Sequence, residues 1–299
     1  MSIKIEDWEV VGWRHAIKGM RNALESWDKS DSMFYDHVDF EKKEIHYHDI
    51  LRQHYGSSAL TPSTNQNLNV LLSTASYFNH PFSLGEHDLD LMMRLNKGGP
   101  SESKYRRFIQ CYVDITAPLY MLKELDTYRH GAEKLSCSTM HRIHTRDLTL
   151  DDFSHEHLIS FDEVEELMDE DENYDEDACL FCSDLNPDEN APELPIESNA
   201  VVYPLDILSN TIQMINQCRQ VYMEQKEKRY WWQLIQLLPS AYNQKRTYMF
   251  SYEALAKIYK ERKDHRLDEW RELCAWIETL PYSEIITGVA PNISMKGEE

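Results

Sequence analysis

Asp114–Arg146, DITAPLYMLKELDTYRHGAEKLSCSTMHRIHTR, decides the reading of this chain. An apolar segment with an Ala-Pro step, Ile115 to Leu122, runs directly into a dense set of basic, imidazole and hydroxyl groups. Arg129, His130, Ser136, Ser138, Thr139, His141, Arg142, His144 and Arg146 lie within about five helical turns of one another. No other stretch concentrates so many anion-binding and hydrogen-bonding side chains. Composition alone also allows a plainer account, a buried helix followed by a polar surface turn.

Upstream, Phe108-Ile-Gln-Cys-Tyr-Val-Asp-Ile is β-branched and aromatic, which predicts a strand. Lys104, Arg106 and Arg107 stand at its entrance, where paired arginines can clamp a phosphate or form an ordinary charged edge. Before that, Ser83–Leu95 reads as a helix with Ser83 and Glu86 spaced as a capping box. Leu68–Phe78 reads as a helix stopped by Asn79-His80-Pro81, after a loop at Thr61–Asn67. His46 and His48 share a face if extended, but no third metal ligand follows from spacing. At the N-terminus, Val10, Trp13, Ile17, Met20 and Leu24 step by three and four, which predicts a helix over Glu6–Trp27 with Arg14, Lys18 and Arg21 on a basic side.

Downstream, charge becomes asymmetric. The net charge is −21, yet no Lys or Arg occurs from Asp147 to Cys218, where 21 Asp and Glu fall. The other 31 acids match the 31 bases. The acidity therefore belongs to one segment, and residues 150–203 read as a flexible acidic insertion in a chain otherwise organised as a single domain over 1–299. Such an insertion could engage a basic protein partner. The balanced remainder argues against duplex nucleic acid as a partner. Cys179 and Cys182 form a CxxC, and with His155 and His157 could hold zinc, though no second CxxC supports it; the expectation is no metal.

Pro204 is placed to open a long amphipathic helix through Tyr222. Arg229–Leu238 is apolar most of the way round and reads as a helix buried at a core or subunit interface, stopped by Pro239. Ser251 can cap a further helix in which Leu255, Ile258 and Arg262 share a side. An arginine there needs an internal carboxylate or a bound anion. Trp270, Leu273, Cys274 and Ile277 continue a buried stripe. No apolar run is long enough to span a bilayer, and the first residues do not resemble a signal peptide, so a soluble cytoplasmic protein is expected. The six scattered cysteines do not read as a disulfide framework. No G-x-G-x-x-G, Walker-type loop or G-x-S-x-G occurs, which argues against Rossmann, P-loop and nucleophile-elbow chemistry.

Three segments together resemble the flavin-dependent thymidylate synthases. They are Asp114-Ile-Thr-Ala-Pro-Leu-Tyr; Arg129-His130 followed by Ser136-Cys-Ser138-Thr-Met-His141-Arg142; and Leu238-Pro239 with the later Leu255, Ile258, Arg262, His265 and Glu269-Trp270. The resemblance covers about 100 residues, and nothing in it matches 147–203. It implies an α+β fold, an antiparallel sheet packed by long helices, here with the acidic insertion, and a homotetramer with flavin sites between subunits. It also implies methylation of a deoxyuridylate-type nucleotide, with FAD as cofactor and methylenetetrahydrofolate and NADPH as co-substrates. The resemblance places Arg107, Arg129 and His130 on the flavin, Ser138 as the catalytic residue, and His141, Arg142 and Arg262 on the nucleotide. It is incomplete: the family's Arg-His-Arg falls on Arg129-His130-Gly131, or without gaps on Thr127-Tyr128-Arg129. The family's flavin-contacting His falls on Arg107 or Phe108, and its later Asn and Arg on Ser251 and Glu253. A catalytically inactive nucleotide-binding or acidic interaction protein on the same scaffold is the alternative.

Overall fold

A computed structural model describes residues 2–34, 82–160 and 203–289. The histidines at 46 and 48, the 61–67 loop, the 68–78 helix, the CxxC and most of the acidic insertion lie outside the described residues. Two compact units are present. One comprises residues 1–117, 121–137 and 244–299, the other 118–120 and 138–243.

The first unit is built on a four-stranded sheet in the order β1-β4-β6-β5. β1 is Lys4–Val11, β4 Gln110–Pro118, β5 Ala132–Ser136 and β6 Asn243–Ser251. β1 runs antiparallel to β4, and β5 antiparallel to β6. Between β4 and β6, Thr247 and Lys245 meet Asp114 while Tyr252 N donates to Ile109 O at 3.0 Å, so this pair is antiparallel as well. Strand alternation makes one face apolar. Cys111, Val113, Ile115, Tyr248 and Phe250 are buried, while Tyr112 and Thr247 are exposed.

The covering helices in this unit are α1 (Trp13–Met20), α2 (Glu86–Lys97), α7 (Tyr252–Arg262), α8 (Asp268–Glu278) and α9 (Glu284–Thr287). The remaining helices are α3 (Leu119–Leu125), α4 (Thr139–Arg142), α5 (Pro204–Gln225) and α6 (Lys228–Leu237). A short pair, β2 (Met33–Phe34) and β3 (Phe82–Ser83), sets Phe82 against Trp13, whose ring centroid is 5.0 Å away.

The N-terminal segment departs from the helix expected over 6–27. Glu6–Val11 is strand, with a bulge where Asp7 takes φ 46°, and Val10 is buried because it pairs with Cys111. Gly12, at φ 94°, then turns the chain into α1; a Cβ there would lie 2.0 Å from Phe108 O. Trp13 and Ile17 do bury a helical face, but Leu24 lies beyond the helix and is 85% exposed. Ser83 likewise does not cap α2. It is in β3, and the α2 amides of His87 and Asp88 donate to Asp31 at 2.9 and 3.1 Å.

In the second unit, Ile143, Leu148, Phe153, Leu208, Ile212, Ile215 and Leu234 form the core. Pro204 opens α5 as its fixed φ favours. Of the helix expected at a core or subunit interface, α6 places one residue in this core. Only Leu234 is buried, and Trp232 is 44% exposed. Lys228 lies over the Trp232 ring, 5.7 Å from its centroid, so a cation partly covers that apolar surface.

Candidate functional site

Within the first unit, the start of β4, the end of β6, the start of α7 and the turn before β5 enclose an open cleft of about 370 Å³. Arg107, Gln110, His130, Gly131, Met249, Ser251 and Glu253 line it. Three local features build it. Gly131 adopts φ 74°, and its carbonyl accepts from Ser251 N at 2.7 Å. Ser251 ends β6 and caps α7, its Oγ accepting from Ala254 N at 3.1 Å. Gln110 opens β4 and donates through Nε2 to Arg107 O at 2.5 Å.

The electrostatics are those of a closed pair. Arg107 Nε donates to Glu253 Oε2 at 2.6 Å. That hydrogen bond, and the charge of Glu253, push the Arg107 guanidinium further up from its ordinary range. Gln110 Oε1 is shielded from solvent and accepts no hydrogen bond. Its orientation is fixed, because turning the amide over would set two oxygens against each other. An unmade bond on a shielded carbonyl costs on the order of 1–3 kcal/mol, so this atom is a natural acceptor for a donor on a ligand.

The residues named from sequence divide between the two units. Arg107 and His130, 23 positions apart, line the same cleft. Arg129 is exposed beside it in sequence and is not part of the wall. Arg262 is half-buried in a cage of its own unit. It ion-pairs with Glu124 at 2.7 Å, donates through Nε to Tyr128 Oη at 2.8 Å, and stacks 4.8 Å from the Trp270 centroid. Of the two partners open to this arginine, the structure supplies the internal carboxylate. Arg106 also turns inward, its NH2 donating to Ser103 Oγ at 3.1 Å, and burial lowers its pKa.

Ser138, His141 and Arg142 belong to the second unit. Ser138 caps α4, and its Oγ lies 2.7 Å from His141 Nδ1 and 3.3 Å from His141 N. All three residues are exposed. Among the described residues, no group of His, Cys, Asp and Glu is arranged to hold a metal ion. No described helix is long and apolar enough to cross a membrane.

Gln110 and Met249 have no distinguishing signal in the sequence, since both read as ordinary strand positions. Glu253 is visible in the sequence only through the family resemblance, and Ser251 as a helix cap as well. Gly131 is the most informative position: it takes φ 74°, and a Cβ there would lie 2.3 Å from Ser251 Oγ, so any side chain must displace that hydroxyl from a strained backbone.

No family model matches the chain, and no curated protein matches it. Among solved structures, the chain is similar to the flavin-dependent thymidylate synthase ThyX from Helicobacter pylori complexed with FAD and dUMP. Identity is 13% and the TM-score 0.48, over 95% of this chain and 96% of that one. A second structure of ThyX from the same organism, with FAD and dUMP, gives 13% identity and a TM-score of 0.49, covering 95% of both chains.

Proposed function

We propose that this chain is a diverged flavin-dependent thymidylate-synthase-like protein that holds a flavin in the Arg107–His130 cleft and acts on a deoxyuridylate-type nucleotide. One observation carries the reading: Arg107 and His130, assigned to the flavin from separate motif segments, line one cleft. The cleft also fits part of such a group. Gln110 Oε1 lacks a donor, and Arg107, His130 and Met249 supply polar and polarisable groups around it. When bound, a flavin supplies the hydride and redox chemistry, while protein groups bind and orient it. In this reading His130 and Gln110 position the ring. Ser138, whose Oγ lies 2.7 Å from His141 Nδ1, polarises the pyrimidine, and Arg142 meets the nucleotide phosphate. Arg262 organises Glu124, Tyr128 and Trp270 instead of binding substrate. Methylenetetrahydrofolate as one-carbon donor, NADPH as reductant and a homotetrameric assembly complete the proposal.

A second reading, binding without turnover, is favoured by the internal engagement of Arg262 and by the absence of space for an arginine at Gly131. Purified protein is titrated with FAD and followed by flavin absorbance and fluorescence, with His130→Ala as the binding-deficient control. Bound flavin is then supplied with dUMP, methylenetetrahydrofolate and NADPH, and product is measured in wild type and Ser138→Ala. Colourless protein that leaves added FAD unperturbed sinks both flavin readings. Flavin binding without product supports the second.

A further inference from the structure

We propose that the Arg107–Glu253 pair makes this cleft a seat for an uncharged ring bearing hydrogen-bond donors, and excludes a phosphate from it. The proposal rests on the flavin reading and specifies which part of such a ligand enters. Among the described residues Arg107 is the one arginine of the wall, and Glu253 already accepts from its Nε at 2.6 Å. Glu253 is held there by the first turn of α7, whose cap is Ser251. Because the pair is substantially exposed, it is easily opened, and its own strength does not bar a phosphate. The obstacle is the displaced carboxylate, which remains beside the incoming anion and repels it.

The second cation that could have outweighed Glu253 is sterically absent. A side chain on Gly131 would need φ 74° and would run into Ser251 Oγ at 2.3 Å. What the wall offers instead suits an uncharged ring. Gln110 holds an unpartnered acceptor at the cleft wall, shielded from solvent until a ligand donor draws it outward. An imide or amide N–H satisfies it, and an ionised phosphate has no proton to give. Met249 adds a polarisable thioether that packs on aromatic faces. A volume of about 370 Å³ lies near the lower end of the roughly 300–1,000 Å³ typical of ligand pockets, which suits one ring system and not a whole dinucleotide.

Riboflavin and FMN share a ring and differ by the phosphate, so their affinity ratio isolates the claim. Full-length wild type, Glu253→Gln and Gln110→Leu are titrated with each by fluorescence quenching. Inorganic pyrophosphate is tested separately by thermal shift. Wild type is expected to bind riboflavin at least as tightly as FMN. Glu253→Gln should move the ratio toward FMN by about fivefold or more and gain a pyrophosphate-dependent thermal shift that wild type lacks. Gln110→Leu should weaken riboflavin by about threefold or more. A wild-type preference for FMN above about fivefold, an unmoved ratio in Glu253→Gln, or unchanged riboflavin affinity in Gln110→Leu overturns the proposal. If neither flavin binds to any variant, the flavin reading fails on its own. The pyrophosphate arm then decides the ion-pair claim: a gain in Glu253→Gln supports it, and no gain overturns it.

Discussion

Asp88→Asn is expected to destabilise the first unit more than any other single isosteric change at a charged residue. Asp88 is wholly buried and Arg21 is 6% exposed. Arg21 Nε and NH2 reach Asp88 Oδ1 at 2.7 and 2.6 Å, while Ser30 Oγ and Ser32 Oγ each donate to Oδ2 at 2.6 Å. Ser32 N adds a fifth donor at 3.2 Å. An asparagine can keep its oxygen toward Arg21 and turn its NH2 to the serines, whose hydroxyls rotate to accept. It cannot neutralise Arg21, and its NH2 then confronts the Ser32 amide. Removing one partner of a buried pair costs about 3–5 kcal/mol, because the other charge stays buried without compensation. Against a typical total of about 5–15 kcal/mol, that loss approaches unfolding. Urea denaturation, followed by intrinsic tryptophan fluorescence, measures it. Replacing both partners, Arg21→Met with Asp88→Leu, should recover part of the loss, since no charge then remains buried. A loss below about 1 kcal/mol for Asp88→Asn would refute the reasoning, for the pair would then be solvated in a way its burial denies.

Gly131→Ala should cost about 1–2 kcal/mol in urea midpoint terms from its left-handed backbone alone, with more from the displaced Ser251 cap; a neutral result overturns that assignment. Asp114 is held below the usual carboxylate range by the Thr247 hydroxyl bond and then by Lys245. A depressed carboxyl stabilises the fold above its unfolded value, about 3.9, and loses that contribution as pH falls through the folded value. Asp114→Asn should therefore lower stability at pH 7 and flatten its decline below about pH 4, checked by denaturation midpoints across pH. Burial pushes the Cys274 thiol up to about 12 and raises Cys111 further, whereas Cys137 is exposed. Alkylation of native protein with residue-level mass spectrometry should mark Cys137 and spare Cys111 and Cys274 until denaturant is added.

Local patterns reached the residues whose structure is set locally. The β-branched run at 108–115 does become a strand, displaced slightly to Gln110–Pro118, because its alternation matches a half-buried sheet. Ser251 and Pro204 open helices as their side chains dictate. Periodicity misled at the N-terminus, since Val10 continues the α1 stripe in sequence but is buried by pairing with Cys111. Long-range partners were illegible. Asp31 caps a helix that starts 55 residues later, and Glu253 reaches Arg107 across 146 positions. The family resemblance named Arg107 and His130 but could not tell that a carboxylate already answers the arginine.

Gly131, Ser251, Glu253 and Arg107 are coupled through one piece of backbone. Gly131 O receives the Ser251 amide, Ser251 caps α7, and α7 carries Glu253 to Arg107. A larger residue at 131 would push on Ser251 Oγ, loosen the cap and release Glu253, so the glycine and the ion pair depend on each other physically. Placing an arginine at 131 therefore should not create a phosphate site; it should lower stability first, because the left-handed turn resists any side chain. The charge can be changed more cleanly at Glu253, whose substitution leaves Gly131, the Ser251 cap and the course of β6 in place. If Glu253→Gln changes ligand preference at unaltered stability, the pair sets specificity. If it destabilises α7 as well, the pair also braces the helix start, and the two roles separate by comparing urea midpoint with ligand affinity in the same variant.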